Sequence, residues 1–208
     1  MLRRFEAGGG TLLDLEHLLD SKGRRMVGFG YWAGYVGAAL AVLRHHGELT
    51  APLVSSSQEE LRRRLRPGVD GVTAVVFGAD GRSGRGACDA LRTAGIEPTR
   101  WGTGDTQNLD RDALLAHDIL VNTISSCRPV PPFLTKADLD NERRRLSVVV
   151  DVTCDVGSEL NALPVHGHGT GLFRRSGAVS AVVAGGLRCL GSLSGGGRRA
   201  VGSLGERC

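Results

Sequence analysis

Five cysteines are present, but no C-x-x-C pair and no spacing of the kind that ligates a metal. That excludes a zinc-ribbon or thioredoxin-like motif, and the odd count argues against a disulfide framework. No apolar run reaches the roughly 18 residues that a membrane span needs. The N-terminus, MLRRFEAGGG, has no hydrophobic signal core. Together these absences set the expectation of a cytoplasmic chain with reduced thiols, no metal and no membrane. Acidic residues are nearly missing from one stretch. From His166 to Cys208 there are six arginines and one glutamate, a local charge of +5. The remainder carries −1, so the formal net charge of +4 belongs to the tail. The high pI therefore gives no reason to expect nucleic-acid binding by the rest of the chain.

What is present is glycine, 31 residues of it, concentrated at one informative place. Val72 to Phe77 is a short apolar run rich in β-branched residues, which predicts a buried strand. Gly78, Gly81, Gly84 and Gly86 follow, and then Ala87 to Ala94 carries helix formers at helical spacing. Strand, glycine turn and helix form the first half of a dinucleotide-binding unit. Glycines let the main chain turn tightly and approach a pyrophosphate, and the helix N-terminus presents unpaired N–H groups to it. The spacing is G-x-x-G-x-x-G-x-G rather than the usual G-x-G-x-x-G. A tight turn that binds nothing is the bland alternative.

The other segments alternate. Thr11 caps a short helix or a strand-and-turn built on Leu12 to Leu19. Arg24-Arg25 precede a glycine-bounded apolar run, where they could grip a carboxylate or phosphate or lie solvated. Tyr31 to His46 predicts a buried helix, with Gly34 and Gly37 allowing close packing and His45-His46 serving as its C-terminal cap rather than a metal site. Gln58 to Arg66 predicts a short basic helix, Ile96 to Trp101 a second strand, and Asp110 to Ala116 a helix. Ile119 to Ile124 predicts a third strand, with Asn122, Ser125 and Ser126 at its end. Thr135 to Asn141 predicts a capped helix and Leu146 to Val152 a fourth strand. Alternating strands and helices call for an α/β fold, a Rossmann-type doubly wound parallel sheet. In such folds an acid after the second strand holds the ribose hydroxyls. Trp101 is followed by Gly102, which leaves Asp105, a few positions late, for that role. Beyond Val165 the sequence turns low in complexity, and no motif in it is used, although Ala178 to Ala184 could form a helix or a strand.

Taken in order, GGGTLLDLEHLLDSKGRRMVGFGYWAGYVGAAL, VFGADGRSGRGACDAL, DILVNTI with RPVPPFLT, and RRLSVVVDVTCD with NALPV resemble the NAD-dependent, lysine-forming saccharopine dehydrogenases, in the superfamily of alanine dehydrogenase and transhydrogenase. The resemblance covers most of residues 8–165. It implies residues 1–50 as a remnant of a second, substrate domain with its linking helix and 51–165 as an NAD-binding domain, while composition makes 166–208 a low-complexity tail, disordered or translated out of frame. It further implies pyrophosphate contacts at Gly78, Gly81, Arg82 and Gly84, and further cofactor contacts at Arg24 and Val150. Asp105 would stand in for the family's ribose acid, since the usual Trp-Asp is Trp101-Gly102 here. Arg25 and Phe29 correspond to substrate contacts, Glu16 to an acid that tunes the charge of the site, and Asp151 and Val152 to a strand end shared with substrate.

The reaction implied is oxidation of saccharopine by NAD to lysine and 2-oxoglutarate. The family's catalytic lysine and histidine find no counterpart: the two lysines present, Lys22 and Lys136, match neither role. The expectation is therefore a fragment that binds NAD and is inactive alone, with a separately encoded N-terminal domain as a possible partner. A non-catalytic NAD-binding protein is the alternative.

Overall fold

The computed structural model describes residues 7–9, 18–49, 53, 56–65, 71–126, 128–153, 160–163 and 180–183. The expectations placed on Thr11 to His17, and on most of the tail, lie outside these residues.

Five parallel strands form one sheet: β1 (Ala74–Phe77), β2 (Thr99–Trp101), β3 (Ile119–Asn122), β4 (Val148–Asp151) and β5 (Ser180–Val183). Their order across the sheet is β2-β1-β3-β4-β5. The chain moves outward from β1 to β2, then returns to place β3 on the other side of β1. Strand order thus reverses at β1, and open α/β sheets bind ligands at the carboxyl ends of the strands flanking such a point. The register is continuous there, with Phe77 opposite both Trp101 and Asn122, and Asn122 opposite Asp151.

Six helices are described: α1 (Gly30–His45), α2 (Gln58–Arg64), α3 (Arg82–Thr93), α4 (Thr103–Gln107), α5 (Arg111–Leu115) and α6 (Lys136–Asp140). Alternation along the strands sends Ala74, Val76, Ile119, Val121, Val148 and Val150 to one face, where α1 and α3 cover them. Val75, Phe77, Leu120 and Val149 face the other way, against Leu114, Leu115, Phe133 and Leu146. Both faces are covered, which is why β1, β3 and β4 are apolar without interruption up to their last residues. Full burial of a side chain such as Phe77 contributes about 1.5–3 kcal/mol. A charge at Val76, which β1 buries completely beneath the two helices, would break this layer.

Helices α1 and α3 cross at glycine. A Cβ on Gly34 would overlap the Ser83 carbonyl and stand 2.6 Å from its carbon. A Cβ on Gly86 would overlap the Tyr31 carbonyl and stand 3.0 Å from the Tyr35 nitrogen. Gly34 thus serves the close packing expected of it, and Gly86 belongs to helix contact rather than to the turn. His46 is the C-terminal capping residue of α1, while the His45 ring lies 3.2 Å from the Ser147 hydroxyl. Cys88 faces the same core, and burial pushes its thiol up from the ordinary value.

Candidate dinucleotide site

The turn after β1 is shaped by two constraints. Gly78 adopts a φ of 70°, the left-handed region that favours glycine. Its N–H donates to the Trp101 carbonyl at 2.9 Å, and its carbonyl accepts from Gly81 N–H at 3.0 Å. A Cβ on Gly84 would overlap the Gly78 carbonyl and stand 2.6 Å from the Ala79 Cα, so α3 rests directly on the turn. Thr123, which follows β3, locks the other side by donating its hydroxyl to the Phe77 carbonyl at 2.7 Å.

Helix α3 begins at Arg82, with Gly81 as its N-cap and no side-chain cap bond. Its first intrahelical bond is Arg85 N–H to the Gly81 carbonyl, at 3.0 Å. The helix therefore supplies no acceptor for the N–H groups of Arg82, Ser83 and Gly84. They lie at the carboxyl end of β1, beside the strand-order reversal. Twelve residues of helix stand behind them, with no acidic residue in the first turn. A diphosphate suits this donor set by charge and by hydrogen-bonding chemistry.

The Arg24–Phe29 segment comes to the same place from a distant part of the sequence. The Arg82 guanidinium donates from Nη2 to the Arg25 carbonyl at 2.9 Å, across 57 residues. A Cβ on Gly30 would stand 2.9 Å from the Ser83 hydroxyl. So Arg82 and Ser83 of α3 meet the Arg25 main chain, Gly28 and Gly30. Arg24 is turned to its own loop, where Nε and Nη2 both reach Asp20 Oδ2 at 2.8 Å. The Arg24 main-chain N–H, foremost, holds the Asp20 carboxyl below its ordinary value. Phe29 is 81% exposed, and with Trp32, Val36 and Leu61 it lines an apolar cavity of about 320 Å³. Glu16 lies outside the described residues.

At the end of β2 the structure adds a helix the sequence did not announce. Gly102 is the N-cap of α4, and Asp105 Oδ2 accepts its N–H at 2.8 Å. Asp105 is exposed, and this bond holds it to the residue after Trp101, whose carbonyl is bound by Gly78. Asp80, within the glycine turn, pairs with Arg100 of β2.

The β4 end is tightly engaged. Asp151 is 2% exposed and accepts from Asn122 Nδ2 at 3.2 Å, from Thr153 Oγ1 at 2.7 Å and from Asn161 Nδ2 at 3.4 Å. Val150 points its side chain into the core beneath α1 and is 0% exposed between β3 and β5, so the cofactor contact expected of it is not open in this structure. Val152 donates its N–H to the Asn122 carbonyl at 3.0 Å. Asn122, Thr123 and Asn161 thus tie the strand ends together. Of these, Asn122 was visible as a polar residue ending the third strand, whereas Thr123 was not singled out and Asn161 entered only as the first residue of the NALPV segment. Among the described residues no group of three or more His, Cys, Asp or Glu side chains could hold a metal, and no helix is long and apolar enough to cross a membrane.

No family model matches the sequence. Among curated proteins, it is similar to the saccharopine dehydrogenase (NAD⁺, L-lysine-forming) of Yarrowia lipolytica, 37% identical over 186 residues, covering 80% of this chain and 50% of that protein. The enzyme of the same name from Candida albicans is 33% identical over 80% of this chain and 51% of its own length. That from Emericella nidulans is 34% identical, with coverage of 80% and 50%. The chain therefore spans about half the length of the curated relatives it matches. A solved L-alanine dehydrogenase is similar at a TM-score of 0.44 and 15% identity, over 74% of this chain and 46% of that one. By sequence, across four fifths of its length, the chain is a homologue of the lysine-forming saccharopine dehydrogenases.

Proposed function

We propose that this chain binds NAD at the glycine turn and supplies the cofactor-binding half of a saccharopine dehydrogenase. The observation that carries the reading is the turn itself: three N–H groups of α3 without helical acceptors, at the carboxyl end of β1, with Arg82 beside them. The main chain from Gly78 to Gly84 and the Arg82 guanidinium would hold the pyrophosphate. Asp105 would accept a ribose hydroxyl, and Arg24 would complete the cofactor side. When bound, NAD would accept hydride from the C–N bond of saccharopine.

On the substrate side, Arg25 suits a carboxylate through its planar fork of donors. Phe29 would cover the apolar part of the substrate, Glu16 would set the local charge, and Asp151 and Val152 would fix the strand end against which it lies. Proton transfer from the secondary amine calls for a base. Lys136 is paired with Asp140 on α6, and Lys22 sits in the turn that follows Asp20. Neither matches the family's catalytic lysine. The chain alone should therefore bind cofactor without turning over saccharopine, and a companion polypeptide carrying the lysine and histidine should restore turnover on mixing.

Titration with NADH, followed by the change in cofactor fluorescence, tests the binding half. A saturable signal is expected, with NADPH weaker. Steady NADH formation from saccharopine and NAD by the chain alone would overturn the inactive half.

A further inference from the structure

Arg82 is the first residue of α3, yet its side chain reaches back to the Arg24–Phe29 segment. Nη2 donates to the Arg25 carbonyl at 2.9 Å. The guanidinium carbon lies 3.5 Å from where a Cβ on Gly28 would stand, and Nη1 lies closer still. The segment it meets is already built. Leu19 and Arg25 form an antiparallel bridge, Met26 N–H donates to the Leu18 carbonyl at 2.8 Å, and Asp20 N–H donates to the Arg24 carbonyl at 2.9 Å. The Asp20 carboxylate closes the tip by accepting from the Lys22 and Arg24 N–H groups, each at 2.9 Å. After Phe29 the chain enters α1, which is seated on α3 through Gly34. A preformed turn and a seated helix are thus joined by a short link, and Arg82 is bonded across it.

We infer that Arg82 is a positioning residue, which sets the Arg24–Phe29 segment against the glycine turn by holding the Arg25 main chain and filling the space left by Gly28. The inference rests on the reading that this segment serves a carboxylate substrate beside the cofactor. An arginine suits the task because its fork of five donors can spend one Nη on a carbonyl and keep the rest for an anion at the turn. Lysine, with one compact ammonium group, cannot occupy both places. Gly28 does not need its conformational freedom, since its φ lies outside the left-handed region. It needs room, and what fills that room is the movable end of one side chain. Alanine at 28 therefore displaces the guanidinium while leaving Arg82 in the sequence.

Hydrogen exchange on the whole chain tests this with Arg82→Ala and Gly28→Ala. Both variants should raise exchange in peptides spanning residues 20–30 by about tenfold, the loss expected for one charge-assisted hydrogen bond. Amides of β1 and β3 should keep wild-type protection. In parallel, 2-oxoglutarate binding in the presence of NADH should weaken about tenfold in Gly28→Ala, where Arg25 is untouched. Unchanged exchange at 20–30 in both variants overturns the inference, as does an equal rise in β1 and β3, which would mark a merely structural role. Should wild type bind no NADH, the functional reading falls, and the exchange data still decide the role of Arg82.

Discussion

Gly34 of α1 lies against Ser83 of α3 main chain to main chain, with the Ser83 Cα 3.0 Å from where a Gly34 Cβ would stand. Gly86 makes the reciprocal contact with Tyr31. These two positions bring the first turn of α3, and with it the turn after β1, against the segment that leads into α1.

Replacing either glycine with alanine forces the helices apart, because the obstructing atoms are backbone and not a movable side-chain end. Gly34→Ala and Gly86→Ala should each cost about 1–3 kcal/mol or more. Thermal unfolding followed by circular dichroism checks this, with a fall of about 2–4 °C expected per kcal/mol in a chain of this size. Gly47→Ala is a control for backbone strain alone, since its φ is 75° and no atom stands within 4 Å of its Cβ position.

Asp105 has two duties that substitution separates. Asp105→Ala removes the cap on Gly102 and the charge together, and should cost about 1 kcal/mol of stability as well as cofactor affinity. Asp105→Asn keeps an acceptor for the Gly102 N–H and removes the charge. It should leave the unfolding midpoint within about 2 °C of wild type and weaken NAD binding by about tenfold, as expected for one hydrogen bond to a charged group. Equal NAD affinity in wild type and Asp105→Asn would assign Asp105 to the cap alone.

Acid stability follows from Asp118. Burial alone would raise its carboxyl, but the Thr73 N–H at 2.8 Å, the Thr73 hydroxyl at 3.0 Å and Arg145 outweigh burial and hold it below the ordinary value. A depressed folded value means stability that is present above the unfolded value of 3.8 and lost as pH falls through the folded one. His45 acts in the same direction at higher pH. Burial, foremost, lowers its imidazole from 6.5, so it favours the fold while neutral and withdraws support as pH falls below that value. Urea midpoints measured from pH 8 to pH 3 should therefore fall in two steps. His45→Gln should remove the upper one. Asp118→Asn should remove the lower one and cost about 1–3 kcal/mol at neutral pH, because Arg145 and Thr73 lose a charged partner.

Much of this arrangement was legible in the sequence, for physical reasons. Val72 to Phe77 announced β1 because a strand covered on both faces is apolar throughout, and the observed strand, Ala74–Phe77, falls within it. Ala178 to Ala184 left helix and strand both open, and the structure forms a strand there, Ser180–Val183, paired with β4. Helix α3 was expected from Ala87, yet it begins at Arg82. Gly84 and Gly86 read as part of the glycine turn, but both lie within the helix, where close packing against the turn and against Tyr31 overrides their low helix propensity. Helix α4 was missed because Gly-Thr-Gly-Asp reads as loop, and a side-chain cap made by Asp105 is what sustains its short run. The buried Asn122–Asp151 bond joins residues 29 apart. Each is a polar strand end on its own, and the register between β3 and β4 is what makes them partners.

Calorimetric titration of the folded chain with NAD, run beside Gly84→Ala, tests the central claim most directly. Wild type is expected to release or absorb heat with a dissociation constant between about 1 μM and 1 mM, or roughly −8 to −4 kcal/mol. Gly84→Ala, which pushes α3 away from Gly78 and Ala79, is expected to lose that heat. A folded wild-type sample that gives no heat with millimolar NAD would contradict the account.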